Sequence, residues 1–303
     1  MSMEAKTAPE IHEARAVSAA QRFYWSLRRE FWENRYIYVA PLAIAAAFLL
    51  ALIAMPRHLP DMHALAALDP MKQMEELMRP YDIAAGFILA VSILVAAFYC
   101  VEALYGERRD RSILFWKSLP VSDATTVLTK AFIALIIVPL IGFAVTVATD
   151  FIVLLLSSAM LAGKGQSVAF LWGHLPFVRM LGLLLYHLLT AHVLWAAPLF
   201  GWILLVSAWA PRAPFVWAFL PPVAIVYLER ITLSTRHFLD YLQYRFMGNG
   251  MEAISTPDTF PIGPGTHPTP LLFLSSPGLW AGLAITAVFL FAAARLRRSR
   301  GPA

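Results

Sequence analysis

Apolar residues in this chain fall into long unbroken runs, separated by short polar stretches in which lysine and arginine collect. A helix that crosses a bilayer needs about 20 mainly apolar residues, because hydrocarbon cannot satisfy backbone N–H and C=O groups. On that measure the runs predict six crossings, at 36–55, 83–104, 127–156, 177–209, 214–228 and 279–294. The third and fourth are longer than one bilayer requires and are expected to tilt or project. The fifth is short and interrupted by Pro221 and Pro222. The segment before the first crossing has its own pattern. Ala20, Phe23, Tyr24, Leu27 and Phe31 recur at spacings of three and four, while Arg22, Arg29 and Glu33 point elsewhere. This predicts an amphipathic helix within 1–35, lying along the membrane interface with Trp25 and Trp32 at headgroup level.

Composition agrees with the pattern. The chain is 59% hydrophobic and 14% charged, with a mean hydropathy of +0.65, whereas soluble domains are about one quarter charged. The fold class expected is all-α, a single polytopic transmembrane domain over 1–303. The net charge is +5, but the basic residues sit at the ends of apolar runs, which argues for membrane orientation and against nucleic acid binding. With the N-terminus inside, one side holds Arg22, Arg28, Arg29, Arg35, Arg108, Arg109, Arg111, Lys117, Arg212, Arg295, Arg297 and Arg298, among others. The other side holds far fewer, such as Lys72, Arg79, Lys164 and Arg245. This is the positive-inside bias. It predicts cytoplasmic N- and C-termini and a bacterial inner-membrane location. The single cysteine, Cys100, rules out a disulfide framework and a cysteine metal cluster.

The most informative polar segment is the loop 105–122. It opens with Glu107, Arg108, Arg109, Asp110 and Arg111, continues with the apolar Ile113, Leu114 and Trp116 beside Lys117, and ends at Leu119-Pro120. Ser122 is placed to cap the following helix. The expectation is one short helix between two crossings, a mixed-charge surface with aromatic anchors suited to a partner's groove; charge alone favours an unpartnered positive-inside loop. The run Tyr105-Gly-Glu-Arg-Arg-Asp-Arg-Ser-Ile-Leu-Phe-Trp-Lys-Ser-Leu-Pro-Val-Ser, followed by a long apolar helix, resembles the inner loop of ABC-2 type transporter permeases, with their type V exporter-like fold. The resemblance extends to the interfacial helix, the six crossings, the external segment 229–278 and the arginine-rich tail. It implies a coupling helix docked on a separate ATP-binding subunit, with Glu107 to Arg111 and Lys117 in polar contact and Ile113, Leu114 and Trp116 as anchors. Arg212, in the second inner loop, would be a minor contact. It also implies ATP and Mg on the partner, a second permease copy or paralogue beside this one, and no catalysis in this chain.

The chain lacks a phosphate-binding loop of its own. At Gly163-Lys164-Gly165, Ser158 stands where the first glycine belongs and Gly165 where a hydroxyl belongs. Within the crossings, Glu102, Lys130 and Arg179 are expected to snorkel to the interface. Asp150 is expected at the interface if its long helix projects, and along a substrate path if it does not. His187 and His192 are candidate pore groups. Five residues apart, they are rotated by about 140° on an α-helix and so should not share a face or a metal. Outside, Asp69-Pro70 predicts the start of a short helix. Met71, Met74 and Met78 lie on one face of it, near His58, Asp61 and His63, a stripe suited to packing or to Cu(I). A further external helix should turn Phe238, Tyr241, Leu242 and Phe246 inward and end near Gly248. Gly278 and Gly282 form a small-xxx-small pair that would allow close helix approach, within the chain or in a dimer. A secondary transporter would need paired broken helices in two related halves. An intramembrane enzyme would need a nucleophile with its base or a ligand set, and no workable spacing for either is found.

Overall fold

The computed structural model describes residues 18–54, 65, 67–118, 121–246 and 266–299. Regular structure among them is helical. Helices α1 (Ala19–Glu33) and α2 (Tyr36–Ala54) are followed by α3 (Pro70–Ala103), α4 (Tyr105–Arg109) and α5 (Ser112–Ser118). Next, α6 (Asp123–Phe132) runs through a π-helical segment, π1 (Ile133–Ile137), into α7 (Val138–Gly163). The chain continues with α8 (Val168–His174), α9 (Phe177–His187), π2 (Leu188–Trp195) and α10 (Ala197–Trp209). It closes with α11 (Pro214–Thr232), α12 (His237–Phe246), α13 (Pro270–Ser275) and α14 (Pro277–Ser299). Among the described residues six helices are long and apolar enough to span a membrane: 36–54, 70–109, 123–163, 177–195, 214–232 and 277–299.

The predicted runs are therefore in place, with three corrections. The short helix expected at Asp69-Pro70 is the first part of α3, a single 34-residue element. Pro80 lies within it without ending it, since neighbouring turns can absorb one missing N–H. On this helix Met78 is buried, Met74 packs beside it, and Met71 is exposed, so the methionine stripe serves packing. His58, Asp61 and His63 lie outside the described residues, as does Gly248. The fourth run is bent at Ala196, beyond π2. The loop 105–122 holds two helical pieces, divided at Arg111, where φ is 58°.

Both π segments end just before a proline, Pro139 or Pro198. Proline offers no N–H and its ring crowds the carbonyl four residues back, so the preceding turn widens to i→i−5 bonding. The Ala196 N–H donating to the Ala191 carbonyl at 3.1 Å is such a bond.

In the bundle α10 packs most extensively on α14, and α3 lies against α2, α7 and α10. Gly142 permits the close approach of α7 to α3, since a Cβ there would stand 2.4 Å from Ser92 Oγ. Helix α11 is the least covered; only Pro214 and Ala218 of it are buried. Gly278 and Gly282 serve contacts within the chain. A Cβ on Gly282 would lie 2.4 Å from Arg245 Nη1, and one on Gly278 would lie 3.1 Å from the Tyr244 hydroxyl. Arg245 on α12 is buried, donating to the carbonyls of Gly278 at 2.6 Å and Trp195 at 3.5 Å, with its guanidinium 4.7 Å from the Trp195 ring. Helix α12 thus faces the bundle with Arg245 and Tyr244, with Phe238 and Leu242 half-buried and Tyr241 outward.

Candidate functional site

The loop between the second and third spans begins where α3 is brought to a stop. The N–H groups of Leu104 and Tyr105 both donate to Ser207 Oγ at 3.0 Å, and that hydroxyl donates to the Val101 carbonyl at 2.7 Å. One serine of α10 thus holds the end of α3, and α4 sets off from there. Arg108 turns inward and donates through Nη2 to the carbonyls of Ser207 and Ala210, at 2.9 and 2.7 Å. Those oxygens lie in the last turn of α10 and at its C-cap, where carbonyls have no helical partner and a cation is favoured. Since Ala210 opens the short second loop, Arg108 ties the two loops together.

Glu107 also turns inward, and around it lies a buried charge network. Its Oε1 is 3.1 Å from Lys130 Nζ and 3.6 Å from Arg29, and its Oε2 is 3.0 Å from Arg297. Lys130 meets Glu30 at 2.8 Å, Arg29 also pairs with Glu30, and Arg297 pairs with Asp123. The Tyr99 hydroxyl donates to the second oxygen of Glu30 at 2.9 Å. Three carboxylates therefore face three cations, drawn from α1, α4, α6 and α14, with α3 adding a hydroxyl. Burial alone would raise the Glu30 carboxyl, but Lys130 and Arg29 beside it hold it down at about 2. Burial likewise disfavours the Arg29 cation, but the carboxylates around it, Glu30 foremost with Glu33 and Glu107, outweigh that, so its pKa is raised. Desolvated charges persist only when paired in this way. A polar cavity of about 360 Å³ lies beneath the loop, with Glu33, Glu102 and Trp116 in its wall.

Beyond this base the loop is exposed. Arg109 lies on the surface, 3.2 Å from Glu102 and 3.0 Å from Asp110, which is exposed too. Arg111 occupies the left-handed region, and α5 then turns Ile113 inward while Leu114 and Phe115 are 58% and 60% exposed. Trp116 is half-buried beneath the Arg29 guanidinium, 3.7 Å from its ring centre. Lys117 is exposed and donates to the Arg298 carbonyl at 3.4 Å, and Arg212 is exposed on the second loop.

Of the ten residues singled out as partner contacts, Glu107, Arg108 and Ile113 are buried and unavailable for docking. Phe115 is as open as Leu114, and the exposed aromatic at the loop tip went unassigned from sequence. Lys130, expected to snorkel, is buried at 3% exposure. Glu30 gave no warning, because its charge sits on the α1 face that the periodicity assigned to apolar contact. Phe23 and Leu27 do lie on that face, with Phe23 edge-on to Phe132 at 5.6 Å, whereas Tyr24 and Phe31 are exposed.

The other candidates lie elsewhere. Asp150 is buried on α7, with Oδ1 lacking a hydrogen-bond partner. It lies 20 positions beyond Lys130, about 30 Å along the helix and so about one hydrocarbon thickness away. His187 and His192 are brought together, their ring centres 5.4 Å apart. His192 lies within π2, whose i→i−5 bonding brings positions five apart closer to one face than an α-helix would. Among the described residues no group of three or more His, Cys, Asp or Glu side chains could hold a metal ion. No family model, no curated protein and no solved structure matches this chain.

Proposed function

We propose that this chain is the membrane-spanning permease subunit of an ATP-binding cassette exporter of the ABC-2 type, working in a bacterial inner membrane with both termini cytoplasmic. ATP and Mg belong to a separate ATPase subunit, and a second permease copy or paralogue completes the path. The observation that carries this reading is the two-part construction of the loop 105–118. Its tip offers Arg109, Asp110, Arg111, Leu114 and Phe115 to a partner, while its base, through Glu107 and Arg108, is fixed to α1, α6, α10 and α14.

Such a loop transmits displacement. A load on a flexible, solvated loop is lost in bending, whereas a base anchored by paired buried charges moves the helices that hold the partners of those charges. Closure of two nucleotide-loaded ATPase subunits would drag the tips, and the bundle would switch between two packed arrangements. Arg212 lies where a smaller second contact would form.

Affinity purification from the native membrane tests the reading. A soluble ATPase is expected to come down with the chain, and Arg109→Ala with Leu114→Ala and Phe115→Ala should release it without lowering the thermal midpoint of the permease. Transport by the chain alone in liposomes, with no ATPase bound, would overturn it. Asp150 favours a second reading, a cation-coupled secondary transporter, because an ionisable group buried in a span commonly marks an ion path. Under that reading Asp150→Asn abolishes transport that the loop-tip variants leave intact.

A further inference from the structure

A cavity of about 420 Å³ opens at the side of the bundle between α3, α10 and α11, with α12 across one end. Its walls differ along their length. The end toward the loop is formed by Ala97, Ile203 and Ala218, while the far end carries His187, His192 and Gln243. Eleven positions separate His192 from Ile203, about 16 Å of helix or roughly one leaflet of the hydrocarbon core. At about 420 Å³ the cavity lies at the low end of ligand-pocket volumes, which suits one chain better than a two-chain lipid.

Three features make this a built cavity. First, π2 sets the two imidazoles side by side, and π turns recur at functional sites. Second, Pro222 has no N–H for the Ala218 carbonyl, and the Trp202 indole of α10 donates to that oxygen at 3.0 Å. The break in α11 is thereby satisfied and its wall held against α10. Third, Arg245 fixes α12 to Trp195 and Gly278, which keeps Gln243 over the far end. One wall of the cavity is α11, which is nearly uncovered, with Phe219 and Val223 of that wall exposed.

We infer that this cavity binds a single-chain amphiphile, with the tail toward Ala97 and Ile203 and a hydrogen-bonding head, such as a carboxylate, at His187, His192 and Gln243. The apolar shaft accepts a chain in a setting where helix backbones are already satisfied. Imidazole and amide groups can donate to, or accept from, the head at the membrane boundary. Calling the occupant cargo rests on the transport reading; binding does not, and it can be measured without any ATPase.

The experiment uses the full chain in phosphatidylcholine vesicles with a diazirine-bearing C16 fatty acid, and a two-chain phosphatidylcholine diazirine as the comparison. Labelling by the fatty acid should saturate, be displaced by unlabelled palmitate, and map to residues lining the cavity. Ala97→Phe and Ala191→Phe should each lower it by about tenfold, the scale on which a filled pocket discriminates. His187→Ala with His192→Ala should weaken it and displace the label along the cavity. Labelling that does not saturate, or survives both filling variants with unchanged thermal midpoints, would show ordinary boundary lipid and overturn the inference. So would equally saturable labelling by the two-chain probe, which would make the occupant bilayer phospholipid, and full labelling of the double histidine variant. Absence of saturable labelling in the natural chain, with ATPase association intact, would overturn the cavity inference and leave the proposed function standing.

Discussion

Lys130 and Glu30 form an ion pair at 2.8 Å, with each side chain only 3% exposed, although 100 positions separate them and one lies in a helix outside the predicted spans. This pair fixes α1 to the last turn of α6, and Glu107 joins it from the loop. Lys130→Ala leaves two desolvated carboxylates without their shared cation, and is expected to destabilise by about 3–5 kcal/mol. Thermal unfolding in detergent measures this. A Lys130→Met, Glu30→Gln double variant should recover a large part of the loss, because it removes charge from both sides. If the double variant is as unstable as Lys130→Ala, the loss lies in packing and the pairing account fails.

The same pair sets a pH dependence. Glu30 is held at about 2 in the folded state against an ordinary value of 4.5, so its contribution is complete above about pH 4.5 and is lost as the pH falls toward 2. The gap in thermal midpoint between the natural chain and Glu30→Gln should therefore be constant from neutral pH to about 5 and narrow below that. A gap that widens on acidification contradicts the sign.

Glu107 and Arg109 are two positions apart with opposite burial, and substitution should separate them. Glu107→Ala strips Lys130 and Arg297 of a partner and should lower stability by about 3 kcal/mol or more. Arg109→Ala removes only surface pairs, worth about 0–1 kcal/mol. Under the proposed function Arg109→Ala weakens ATPase capture at unchanged stability, whereas Glu107→Ala shifts the unfolding midpoint. Equal midpoints for the two variants would contradict the buried network.

Gly282 faces the Arg245 guanidinium with no room for a methyl group. Gly282→Ala should cost about 1–3 kcal/mol, the range for overpacking a filled site. Arg245→Ala combined with it should be less damaging than the sum of the two, since the clash disappears with the side chain. Strict additivity in melting experiments would show that the two residues do not meet.

In the loop the sequence made some features legible and hid others. Its charge density and aromatic content marked it, and the Ser122 cap is present, with the Thr125 N–H donating to Ser122 Oγ at 3.1 Å. Yet the choice between Glu107 facing inward and Arg109 facing outward depends on where α4 starts. That is set by Ser207, on another helix.

The apolar runs by themselves determined the six spans, because the need to satisfy backbone hydrogen bonds in hydrocarbon is local and leaves its mark as run length. Capping at Ser122 was legible because it too is local, whereas the apolar face read on α1 holds for Phe23 and Leu27 but not for the exposed Tyr24 and Phe31. Tertiary structure alone decided which charges are buried: Glu30, Glu107, Lys130 and Arg297 are tolerable inside only because they meet, and their meeting joins positions up to 190 residues apart. The meeting of His187 and His192 was hidden for a local reason instead, since a widened turn before Pro198 overrode the α-helical period. Span length is a property of a segment, whereas the worth of a buried charge is a property of its neighbours.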